Sequence, residues 1–343
     1  MFGKKEENET EEFDQELVRR PIRDLKPENK KARKEPVKPW GKKERLTVLS
    51  VLLATFFVSA LFAVLSSGFS VPKVSAPNIS ISIPNIKFEQ TFVSEKKACC
   101  SDIEEKFKEK TDSLLGTYGF SFIDLTTGKA YSLKGNESFQ AASLIKLPTA
   151  VALYKEAEVG KLDLDSVHTL SDSEKLEGNG SLAGFPTGTK ITYRNIVKYM
   201  LTQSDNTAFN IVEIFLGDRK IQKTIDSLGM TKTSIADNLT SADDIALILR
   251  ELKEGNILNP IDSDEILSYL KQSKFDSWLV AGIPQGVEIA HKYGREIGVV
   301  NDAGIIYSPR PYILVILSKE VNEKEADSIF PELSKLFYDE VSK

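Results

Sequence analysis

Ala142-Ser143-Leu144-Ile145-Lys146-Leu147-Pro148 opens an apolar run that reads as a helix from about Ser143 to Val159. Ser143 and Lys146 stand three positions apart, so on a helix both side chains leave from one face. A hydroxyl and an amine are thereby paired at a helix N-terminus, where free backbone N–H groups and the positive dipole end favour developing negative charge. An amine kept neutral by its surroundings can take the proton of a serine that attacks a carbonyl. Pro148 lies close enough to the helix start for its missing N–H to cost little. The spacing alone is weak, because Ser94…Lys97 and Ser268…Lys271 repeat it. Its weight comes from what surrounds it.

Upstream, residues 1–45 read as a disordered cytoplasmic tail, acidic from Glu6 to Glu16 and basic from Lys26 to Arg45. Leu46 to Val71 carries no charge. Its first 20 residues are nearly all apolar, enough to cross a hydrocarbon core of about 30 Å. Lys/Arg bias favours a single-pass anchor at 46–67, with the tail inside and the rest of the chain outside. The lipid bilayer is then a partner of residues 46–67, and a cleaved signal peptide is the rival reading. Residues 68–97 are rich in Ser and Pro and read as an extended linker. The folded domain is expected over 98–343.

Within that domain, Asp102 to Leu115 reads as an amphipathic helix. Gly119–Asp124 and Lys129–Leu133 read as a hairpin. Helices are expected from Thr192 to Thr202, Thr207 to Leu216 and Ser241 to Glu254, after a loop-rich section from Gly160 to Thr189. Val287–His291, Gly298–Ile306 and Tyr312–Ser318 read as strands, and Glu323–Val341 as a closing helix. Strands at both ends with helices between them imply an α+β fold, an antiparallel sheet assembled from both ends of the domain with a helical lobe inserted.

Two more pieces follow Ser143-x-x-Lys146 in order. Ser204-Asp205-Asn206 sits in the break between two expected helices, and Lys292-Tyr293-Gly294 at the end of a strand. S-x-x-K, S-D-N and K-T-G in this order are the signature of penicillin-binding proteins and class A β-lactamases. The chain resembles that family beyond the motifs, in Thr126-Thr-Gly-Lys-Ala, Gly160-Lys-Leu-Asp-Leu-Asp, Thr202-Gln-Ser-Asp-Asn-Thr-Ala and Ile225-Asp-Ser-Leu-Gly-Met. The resemblance implies that Ser143 is the acylated nucleophile and Lys146 its proton acceptor, directly or through water. Ser204 would pass the proton toward the leaving nitrogen, and Asn206 would hold the substrate amide and Lys146. Lys292, Tyr293 and Gly294 would form the carboxylate-binding strand. The backbone N–H groups of Ser143 and Arg295 would form the oxyanion hole. No cofactor is implied, and the substrate would be a β-lactam or a peptidoglycan stem peptide, which places the protein in a bacterial envelope.

Two departures qualify the resemblance. Tyr293 stands where the family carries Thr or Ser, and a phenol cannot place its oxygen where that small hydroxyl would be. The family's deacylating glutamate, in a loop after the second motif, has no counterpart: no glutamate lies between Glu213 and Glu251. Glu177, before the second motif, would reach the site only by another route. Deacylation by another base such as Lys146, or a long-lived acyl-enzyme, both remain open, as does a non-catalytic domain that binds β-lactam or cell wall.

Other features exclude more than they propose. A net charge of −5 argues against a nucleic-acid partner. Cys99 and Cys100 are adjacent, so they form neither a zinc knuckle nor a disulfide framework, and metal binding has no support. His291 is expected to bond locally, His168 to be solvated, Asp205 to bond backbone in its turn, and Trp278 to lie in the core.

Overall fold

Tyr312-Ile-Leu-Val-Ile-Leu-Ser-Lys319 is apolar through its first six positions, the composition of a strand covered on both faces. The computed structural model, which describes residues 102–343 together with Ser50 and Thr55, places it at the centre of a five-stranded antiparallel sheet. In chain order the strands are β1 (Thr117–Asp124), β2 (Ala130–Leu133), β3 (Phe139–Gln140), β4 (Val167–Thr169), β5 (Lys190–Thr192), β6 (Leu239–Thr240), β7 (Ile289–Glu296), β8 (Val299–Ile306) and β9 (Tyr312–Lys319). The large sheet runs β2-β1-β9-β8-β7, while β3 pairs with β6 and β4 with β5. Both ends of the domain therefore build one sheet, as expected.

The helices are α1 (Ile103–Thr111), α2 (Lys146–Glu158), α3 (Tyr193–Thr202), α4 (Asn206–Leu216), α5 (Asp218–Ser227), α6 (Ala242–Glu254), α7 (Pro260–Lys271) and α8 (Glu323–Val341). Alternation along β9 separates two cores. Tyr312, Leu314 and Ile316 join Phe120 and Phe122 beneath α1 and α8. There the Phe107 and Phe120 rings lie 4.7 Å apart and those of Phe120 and Phe337 4.9 Å. Ile313, Val315 and Leu317 face the other way, into the core shared with α2 to α7. α6 presents Ile245, Ile248, Leu249 and Leu252 to that face, a helical apolar stripe. Its ends follow from chemistry: Ser241 Oγ accepts from Asp244 N at 3.1 Å, and Gly255 closes it at φ 70°.

Several boundaries differ from expectation. β7 runs through Lys292-Tyr293-Gly294 to Glu296 instead of stopping at His291, because the Ile297-Gly298 turn, with Gly298 at φ 70°, lets all eight residues pair with β8. α5 and α7 are additional helices. The section from Gly160 to Thr189 contains β4. Residues 1–45 and 68–97 and both cysteines lie outside the described residues, as does the 46–67 segment apart from Ser50 and Thr55. Among the described residues no helix is long and apolar enough to cross a membrane.

Candidate active site

Ser143 is the one residue between Ala141 and Tyr154 that is not buried. Ala142 enters the segment at φ 48°, a left-handed conformation unusual for a residue with a Cβ and characteristic of functional strain. A 3₁₀ turn over Ala142–Ile145 follows, and the α-helix proper starts at Lys146. The single helix expected from Ser143 is thus a 3₁₀ turn feeding α2. The 3₁₀ turn sets the pair, since three residues per turn stack positions i and i+3. Lys146 Nζ lies 3.1 Å from Ser143 Oγ.

The second motif closes over the amine. Ser204, at φ 55°, bridges α3 and α4. Lys146 Nζ donates to Ser204 O at 2.6 Å, to Asn206 Oδ1 at 2.7 Å and to Ser204 Oγ at 3.2 Å. Asp205 is structural, as expected. It caps α4 by accepting from Ala208 N at 2.9 Å, and it accepts from Ser181 N at 2.7 Å and Leu182 N at 2.8 Å.

Those last contacts expose a part of the site that the motifs do not announce. Residues 176–182 dock on Ser204-Asp205-Asn206, with Asn206 N donating to Asn179 O at 2.9 Å and Asn206 Nδ2 to Glu177 O at 3.1 Å. Gly178 (φ 111°) and Gly180 (φ 103°) permit this approach: a Cβ on Gly178 would lie 2.6 Å from Asn206 Nδ2, and one on Gly180 would overlap the Asp205 carboxylate. Glu177 therefore reaches the site through its backbone, while its residue as a whole is exposed. The sequence signal was the Gly-Asn-Gly triplet.

The third motif comes from the sheet edge. Lys292 is 1% exposed, and its Nζ donates to Ser204 Oγ at 2.9 Å and Tyr293 O at 2.6 Å. Ser204 Oγ thus stands between two amines. The Tyr293 ring stacks on Phe275 at 4.2 Å and lies 4.3 Å from Lys292 Nζ, so an aromatic wall replaces the small hydroxyl. The Arg295 guanidinium turns away from the site to Glu323 and Asp327 on α8, leaving only its backbone on this edge. His291 Nδ1 lies 2.9 Å from Asp302 Oδ1 and Nε2 2.9 Å from Phe275 O, buried and outside the reacting group. Trp278 is core, with Nε1 donating to Asp327. His168 is not solvated: it is half-buried and 3.1 Å from Glu174. Ser268 and Lys271 turn to separate partners, Glu265 O and Glu288.

Gly294 fixes the approach of strand to nucleophile. A Cβ there would lie 3.0 Å from both Ala141 O and Ser143 N, with Ala142 Cβ at 3.1 Å. Gly294→Ala must move the Ser143 segment from the strand by a few tenths of an ångström. A misplacement of about 1 Å costs about 10²-fold in a positioned reaction, so this smaller shift should cost about tenfold. We expect that loss in acylation with little change in melting temperature, measured by stopped-flow and thermal unfolding.

Burial sets the electrostatics. It pulls the Lys146 amine down to about 8, with the Asp205 carboxylate partly opposing. Burial, then the charge on Lys146, holds Lys292 well below the usual lysine range, with Asp302 opposing. Lys146 is therefore a base near neutral pH, and Lys292 a site whose charge an anion would restore. Between the second motif and α6, residues 234–239 close into a tight turn, with Ser234 and Leu239 exchanging backbone bonds at 2.9 and 3.0 Å. That turn brings no glutamate to Ser143. Among the described residues no group of three His, Cys, Asp or Glu is placed to hold a metal.

Residues 102–341 match the family model described as "Beta-lactamase enzyme family". The beta-lactamase SME-1 of Serratia marcescens is 25% identical over 263 residues, which cover 68% of this chain and 85% of that protein. A solved structure of PBP-A superposes with a TM-score of 0.66 at 26% identity, covering 70% of this chain and 95% of that one. The beta-lactamase of Sphaerobacter thermophilus superposes at 0.67 with 22% identity, over 71% and 98%, a likeness of fold.

Proposed function

This chain belongs to the beta-lactamase enzyme family, and from that premise we propose that it is a serine hydrolase that opens a β-lactam amide through an ester on Ser143. One observation carries the reading: a buried amine, drawn down to about 8, lies 3.1 Å from the half-buried Ser143 hydroxyl. Neutral Lys146 takes the Ser143 proton as Oγ attacks the carbonyl carbon. Ser204 Oγ, between Lys146 and Lys292, passes a proton to the departing nitrogen as the C–N bond breaks. Asn206 orients Lys146 and the substrate amide, and Lys292 draws the substrate carboxylate. The N–H groups of Ser143 and Arg295 receive the oxyanion, where losing one donor costs about 10²–10³ in rate. β7 is an edge strand, so one of its sides carries backbone groups without ladder partners.

A second reading, a D-Ala-D-Ala peptidase that β-lactams inactivate, is favoured by the closed turn at residues 234–239. A PBP-A mutant solved as an acyl-enzyme complex with penicillin G belongs to a protein similar to this one. In both readings the domain stands outside a cytoplasmic membrane, tethered through 46–67 with its tail inside. An impermeant maleimide should then label Cys99 or Cys100 in intact cells.

Intact mass of the full-length chain, followed after mixing with excess penicillin, tests the function. An adduct on Ser143 that clears while drug is consumed supports the hydrolase, and one that persists supports the peptidase. Absence of an adduct overturns both.

A further inference from the structure

We propose that Glu296, held by Asn238, is the base that activates water against the Ser143 ester. This rests on the acyl-enzyme reading above and deepens it, because it supplies a base for deacylation where the chain has no glutamate between Glu213 and Glu251.

Alternation along β7 puts Lys292, Gly294 and Glu296 on one face of the strand. Lys292 reaches Ser204, and Gly294 abuts the Ser143 backbone. Glu296 is the next side chain in that row, about 7 Å beyond Gly294. Arg295, between them, points to the opposite face and is taken up by Glu323 and Asp327.

Asn238 ties this carboxylate to the nucleophile. Its backbone O accepts from Ala141 N at 2.7 Å, two residues before Ser143, and its Nδ2 donates to Glu296 Oε1 at 3.0 Å. Asn238 sits at φ 51°, a conformation that asparagine tolerates better than most residues but that still needs support. Its Oδ1 is buried and has no hydrogen-bond partner among the described residues, an uncommon state for a polar atom. The Asn238 side chain is thus committed to one partner, and its role is to hold the Glu296 carboxylate in place. A water hydrogen-bonded to Glu296 gives that carboxylate its proton, and its lone pair is left for the ester carbon. Among the described residues Glu296 is in no salt bridge, so no cation competes for it. Of the other carboxylates nearby, Asp237 is engaged by Ser234 Oγ at 2.8 Å, and Glu177 presents its backbone to the site.

In the step assigned here, the water oxygen bonds to the acyl carbon as its proton moves to Glu296. The bond from carbon to Ser143 Oγ then breaks, and that proton returns to Oγ. Free serine and a carboxylic acid result, with Glu296 restored.

The test separates formation of the adduct from its loss. Full-length wild type, Glu296→Gln, Glu296→Asp and Asn238→Ala are loaded with penicillin G, freed of excess drug, and followed by intact mass. In Glu296→Gln the ratio of adduct loss to adduct formation should fall about 100-fold, the range for removing a general base. Glu296→Asp should retain part of that ratio, and Asn238→Ala should slow loss by less than Glu296→Gln. Equal loss from wild type and Glu296→Gln, or a wild-type adduct that never clears, overturns the assignment of Glu296 while leaving acylation of Ser143 standing. No adduct in any form overturns the functional reading and this inference together.

Discussion

Lys146→Met lowers the rate of acylation by penicillin by about 10²–10⁴ and removes its rise with pH, the loss typical of deleting a positioned base. The amine must be neutral to accept the Ser143 proton, and burial brings it down to about 8. Below that pH the wild-type rate should climb about tenfold per unit, and above it should level off. Lys292 works in the opposite sense. Burial and the charge on Lys146 hold it down too, and it must carry a proton to grip an anion. Raising the pH should therefore raise kcat and KM together, a split that a single titrating base would not give. Stopped-flow acylation and steady-state kinetics between pH 6 and 10 read both effects. A variant within tenfold of wild type, or a wild-type rate that falls between pH 6 and 8, would remove Lys146 from the role of base.

The parts of this architecture written in short-range patterns are visible in the chain itself. Ser143 and Lys146 are legible because Ser204 and Lys292 follow them in order, each motif being a local string on a local element. The two-ended sheet is visible because β1, β8 and β9 are apolar runs bounded by turns. α7 carries a readable signal in Asn259-Pro260, a cap followed by a proline at the first helical turn. α5 begins directly after Gly217, and its apolar stripe is legible too, narrow but at helical spacing in Ile221 and Ile225 within an otherwise polar stretch. What local strings do not show is what depends on distant partners. The docking of 176–182 on the second motif is made of backbone groups 23 to 31 residues from their acceptors or donors. The pair Asn238–Glu296 joins residues 58 apart on unrelated elements. The Tyr293 departure is legible as a substitution, but the Phe275 ring that receives it comes from a loop whose path only the fold fixes.

Asp205→Ala should destabilise the domain by about 2–4 kcal/mol and shift the acylation profile to lower pH. Asp205 is 1% exposed, and its two oxygens satisfy three backbone N–H groups. Losing the cap on α4 costs about 0.5–2 kcal/mol. Each of the other two N–H groups, left buried without an acceptor, costs about 1–3 kcal/mol. Release of residues 176–182 into solvent would recover part of that sum. The same release withdraws the Glu177 and Asn179 carbonyls from Asn206, so Asn206 loses its hold and acylation falls more than tenfold. The pH shift is the more specific sign. Asp205 is the charge that opposes the downward pull of burial on Lys146, so removing it lets the amine fall further below about 8. The midpoint of the rising limb then moves to lower pH even as the plateau drops. Denaturant unfolding and the acylation profile measure the two arms separately. A stability loss under about 0.5 kcal/mol would show that the three N–H groups find other acceptors, and an unmoved midpoint would show that Asp205 does not act on Lys146.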